Sequence, residues 1–111
     1  MSAPALKHNY HDANLVEFAI GPRNELRLEV ALDPYLSTCH SVVLRFGAIA
    51  NLRDVTDFLE RIPPRPTPDA YLARIERLEY NAAKPPRVLL QLEGMGVLEI
   101  ESSKVSENAV G

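Results

Sequence analysis

Leu26, Leu28, Val30 and Leu32 alternate with Arg27, Glu29 and Ala31. A side-chain period of two puts the four aliphatics on one face and the charges on the other, a pattern that fits a half-buried strand and not a helix. Gly21-Pro22-Arg23-Asn24 supplies turn chemistry just before it. Upstream of that turn, Asn14 to Ile20 carries Val16, Phe18 and Ile20 at strand spacing, with Leu15 offset. Two such runs around a short turn predict a β-hairpin.

The same alternation recurs downstream. Val42, Leu44 and Phe46 face one way in a strand over Ser41 to Ile49, with Val43 on the other face. Val88, Leu90 and Leu92, then Leu98 and Ile100, flank Gly94-Met95-Gly96, a tight hairpin connection. The G-x-G there lacks a third glycine and a following helix, so it does not read as a phosphate cradle.

One segment keeps helical time. Leu52, Val55, Leu59 and Ile62, widened by Phe58, form an apolar stripe, with Asn51 placed to cap and Asp54 in the first turn. Arg53, Asp57 and Arg61 are spaced to pair on the opposite face. Pro63 ends this helix, and Pro63-Pro64-Arg65-Pro66-Thr67-Pro68 makes a stiff extended connection, formally with P-x-x-P spacing. Ala70 to Tyr80 reads two ways. Leu72, Ile75 and Leu78 favour a helix by local propensity, whereas a strand needs a bulge to bring Ile75 into phase with Leu78 and Tyr80.

The sum is an α+β chain: an antiparallel meander of about six strands with one amphipathic helix after the third strand. Residues 1–9 read as a flexible N-terminal segment, 10–104 as a single domain and 105–111 as a flexible polar tail. A chain of 111 residues can bury a core without disulfide or metal staples.

Charge and composition exclude some partners. A net charge of −3 argues against general nucleic-acid binding. The arginines and Lys84 between Arg61 and Arg87 interleave with acids and read as a mixed, solvated face. No apolar run approaches the ~20 residues of a membrane helix. The first twenty residues lack a basic region followed by an apolar one, and Cys39 is the single cysteine. The expectation is a cytoplasmic protein.

Chemistry has few places to reside. His8, His11 and Asp12 form an H-x-x-H-D cluster, and His40 follows Cys39. Imidazole, thiolate and carboxylate all bind zinc, but this spacing matches no metal motif. Cys39 and His40, adjacent in an extended segment, point to opposite sides and make a poor nucleophile–base pair. Tyr10, His11, Asp12 and His40 are the candidate cluster, with no catalytic residue, metal or cofactor assigned. Two readings remain open: a non-enzymatic module with a protein partner, and a metal-dependent or hydrolytic enzyme using His11, Asp12 and His40. Self-association through an outer strand such as Glu25 to Leu32 is a further expectation.

Tyr10-His11-Asp12-Ala13 opening a strand is followed by Leu44-Arg45-Phe46-Gly47 with Ala50-Asn51-Leu52, then by Ile75 and Leu78, then by Gly96-Val97-Leu98-Glu99-Ile100. In this order the motifs resemble a loose group of small bacterial H-D-A-type domains of unknown function. Some of that group are classed as immunity proteins of polymorphic toxin systems. The resemblance runs from Tyr10 to about Lys104 and implies a strand over Arg74 to Asn81. It implies a protein partner, and it implies no catalytic residue.

Overall fold

The computed structural model describes residues 6, 9–33, 40–81 and 86–110. Seven antiparallel strands form one sheet: β1 (Ala13–Gly21), β2 (Glu25–Ala31), β3 (Ser41–Gly47), β4 (Ala73–Asn81), β5 (Arg87–Leu92), β6 (Gly96–Glu101) and β7 (Lys104–Val110). Among the described residues a single helix, α1 (Leu52–Glu60), follows the third strand. The fold is α+β and mostly sheet, with strand order β6-β5-β4-β1-β2-β3-β7.

The seventh strand is the segment expected to be a flexible tail. Lys104 to Val110 pairs along the whole of β3, Gly47 to Ser41. Val105, Glu107 and Ala109 stand opposite Phe46, Leu44 and Val42, on the core face of the sheet. The polar Glu107 breaks the apolar alternation there, and the buried Tyr10 hydroxyl donates to its carboxylate. Glu25 to Leu32 is not an outer strand either. β2 lies between β1 and β3, so its ladder groups are taken on both sides, and the edges are β6 and β7.

Two bulges set which side chains face inward. In β1 the register shifts between Leu15 and Glu17, so Leu15 pairs with Val30 and Phe18 with Leu28. Leu15 therefore shares the core face with Phe18 and Ile20, and Val16 is displaced from it. In β4 the shift falls between Ile75 and Arg77, and Ile75 and Leu78 are both buried. The strand reading of this segment holds, with the bulge it required.

The sheet is strongly curled. β6 and β7 lie on opposite edges, yet only Ser102 and Ser103 join them. Three residue steps from Glu101 to Lys104 span at most ~10 Å, while seven flat strands would measure ~29 Å across. The edges must therefore approach each other at this end. Polar contacts close the gap: Ala50 N–H donates to Glu101 O at 2.9 Å, and the Ser102 hydroxyl donates to Gly47 O at 2.6 Å. Inside the curl, Leu26, Leu28, Val30, Leu44, Phe46, Leu90, Leu92 and Ile100 pack with Val55, Phe58 and Leu59 of α1.

Candidate functional site

The expected cluster opens β1. Ala13 N–H donates to Tyr10 O at 3.1 Å, closing a turn whose third residue, Asp12, has φ of 62°. Left-handed backbone is open to aspartate at lower cost than to most residues. Asn9 supplies the Asx contact here, its Oδ1 accepting from His11 N–H at 3.0 Å.

Each side chain then reaches a different element. Tyr10 points into the core and meets Glu107 of β7. Asp12 accepts from Arg74 Nη2 at 2.7 Å, and that bond and the charge beside it raise the Arg74 guanidinium above its ordinary value. His11 Nδ1 lies 3.2 Å from Glu76 O, the carbonyl at the β4 bulge, and its Nε2 lies 3.5 Å from Asp12 Oδ2. The imidazole stays largely in water, 66% exposed.

His40 is not part of this group. It precedes β3, where its carbonyl accepts from Leu32 N–H at 2.9 Å. β2 separates the starts of β1 and β3, two strand spacings or ~10 Å of backbone, and His11 turns away toward β4. His8 and Cys39 lie outside the described residues. Among the described residues no three His, Cys, Asp or Glu side chains gather as a metal site would require. The cluster acts as a clasp that ties the entry of β1 to β4 and β7.

A second site lies between α1 and the edge of β6. Its walls are Asp54, Asp57 and Arg61 of the helix and Val97, Glu99 and Glu101 of the strand, over a floor of Phe58 and Leu98, around about 540 Å³. Asn51 stands at one end. It was expected to cap α1, but its side chain makes no cap bond. Instead Nδ2 donates to Glu99 O at 2.6 Å and Oδ1 accepts from Glu101 N–H at 2.9 Å. Those are the two backbone groups that an eighth strand would take, and the amide imitates one peptide of it. The expected Arg61–Asp57 pairing is also different. Arg61 Nε donates to the Asp57 carbonyl at 3.2 Å, and its guanidinium sits 5.5 Å over the Phe58 ring.

Alternation fixes what remains open on β6. Glu99 O and Glu101 N–H face away from β5, so Val97, two residues earlier, presents its N–H and C=O to the same side, as does Glu99 its N–H. Those groups have no partner among the described residues, and Val97 is 55% exposed. The sequence carried one sign of this: Val97 is the apolar residue out of phase with Leu98 and Ile100.

A third hollow of about 350 Å³ lies on the outer sheet face over Ala19, Gly21, Gly47 and Ser106, rimmed by Arg27, Arg45 and Lys104. Arg27 is engaged by Glu29 at 3.0 Å. Elsewhere on the outer surface, Arg77 pairs with Glu79 and Arg87 with Glu99, the solvated mixed face that interleaved charge predicts.

Comparison with known proteins finds no matching family model, no matching curated protein and no matching solved structure. Among the described residues no helix is long and apolar enough to cross a membrane.

Proposed function

We propose that this protein is a non-enzymatic interaction module that takes up an extended segment of a protein partner along the open half of β6. The observation that supports this is the arrangement at Asn51. Its amide already occupies the strand-addition sites at Glu99 and Glu101, while the next groups in the same row, at Val97 and Glu99, stand open beside the groove between β6 and α1. An extended peptide gains affinity from such backbone groups and specificity from the side-chain hollows beside them. β7, the other edge, presents polar Ser106 and Asn108 and lies outside this groove. A toxin is the partner implied by the resemblance to immunity-type domains, and the cytoplasm is the proposed setting.

Photo-crosslinking tests the reading. A benzophenone side chain is placed at position 97 in one variant and at position 106 in another, and both are expressed in the native host. A discrete adduct from position 97 and none from 106 is expected, with the crosslinked peptide mapping to one stretch of one partner. An adduct from 106 alone, or none from either, would sink the β6 reading.

A further inference from the structure

Resting on the β6 reading, we infer that the segment docked there is basic, with lysine or arginine alternating with apolar residues. Four carboxylates line the groove, those of Asp54, Asp57, Glu99 and Glu101. Against them stands Arg61, already engaged with the Asp57 carbonyl and the Phe58 ring, and Arg87 reaches Glu99 from β5 at 2.9 Å. Among the described residues no cation pairs with Asp54, Asp57 or Glu101.

At the base of the groove lie the edges of Phe58 and Leu98, each 5% exposed, with Arg61 over the Phe58 ring. A strand beside β6 would send alternate side chains to its two faces. One set would lie across from Val97 and Glu99, where opposite charge is favoured and like charge is not. The other set would meet Phe58 and Leu98, with the helix carboxylates at the rim. An alternating cationic and apolar strand satisfies both. A second copy of this chain does not, because β6 set against β6 would bring Glu99, Glu101, Asp54 and Asp57 of one groove against those of the other.

Fluorescence anisotropy decides this with three labelled heptapeptides: lysine alternating with valine, glutamine in place of lysine, and glutamate in place of lysine. The lysine peptide should bind at least about tenfold more tightly than the glutamine peptide near 50 mM salt, and that margin should shrink at 0.5 M, where charges are screened within a few ångströms. The glutamate peptide should not bind. Asp54→Asn with Asp57→Asn should erase most of the margin. Val97→Pro removes the outward N–H at a position where an edge strand accepts proline, and should abolish binding of the lysine peptide. Lysine peptide N-methylated along one edge gives the same test without altering the protein, and should also fail to bind.

Equal binding of lysine and glutamine peptides would overturn the charge inference and leave strand addition at β6 standing. No binding of the lysine peptide, while position 97 still crosslinks a partner, would overturn the inference alone. Binding that survives both Val97→Pro and N-methylation would mean surface attraction without strand addition, and would overturn it too. So would a dimer in light scattering that Val97→Pro dissociates, since a second copy would then fill the groove.

Discussion

Two residues with similar chemistry do different work. Asp12 holds a left-handed turn and an ion pair at once. Replacing it with alanine loses both, whereas glycine loses the pair but takes up positive φ freely. Asp12→Gly should therefore stay closer to wild type than Asp12→Ala by about 1 kcal/mol in urea midpoints, the reverse of the usual order. Alanine equal to or better than glycine would show that the turn carries no strain. Asn51 makes the second case. If it capped α1, Asn51→Asp would be nearly neutral, because aspartate caps as well as asparagine. Its bonds run to β6 instead, and one needs a donor that aspartate lacks. Asn51→Asp and Asn51→Ala should each cost about 1–2 kcal/mol. A neutral aspartate variant would return Asn51 to the helix.

At the scale of elements, β7 is the piece whose importance the sequence hides. Its inward residues run Val105, Glu107 and Ala109, one of them charged, and Tyr10, 97 residues away, donates to the Glu107 carboxylate. No local pattern encodes that. Truncation after Ser103 should remove cooperative unfolding, since it strips the ladder from β3, whereas loss of a frayed tail would leave the melt unchanged. Tyr10→Phe keeps the ring and deletes the hydroxyl. It should cost about 1–2 kcal/mol and speed amide exchange in β7 before the rest of the sheet. The other ambiguities have one physical origin. A bulge turns a period of two into a spacing of three, as at Leu15 and Phe18 and at Ile75 and Leu78, and three is also a helical spacing. Where strands are regular, as in β2, β3, β5 and β6, the alternation alone gave the inward face correctly. That Tyr10 to Ala13 opens a strand was legible. That His11 and His40 part company, and that α1 leaves a groove on β6, follow from strand order, which one sequence does not carry.

Taken whole, the molecule is a curled sheet whose two edges approach at the Ser102–Ser103 end, and this orders its folding. Four of the six strand pairings join neighbours in the chain, but β4 joins β1 through Ala13 and Ile75, and β3 joins β7, across long separations. Loop closure must precede the gain from such contacts, and sheets of this kind fold over milliseconds to seconds. The seam contacts depend on more still. Ala50 and Asn51 can reach Glu99 and Glu101 only after β6 has joined β5 and the end of β3 has been positioned. They are therefore expected to form after the rate-limiting step. Asn51→Ala should leave the folding arm of a chevron plot in place, and should raise the unfolding rate by nearly its whole equilibrium cost, a φ-value near 0. The expected loss exceeds the ~0.6 kcal/mol below which such ratios mislead. A slowed folding arm would mean that the seam forms early, and that the sheet assembles from its closed end outward.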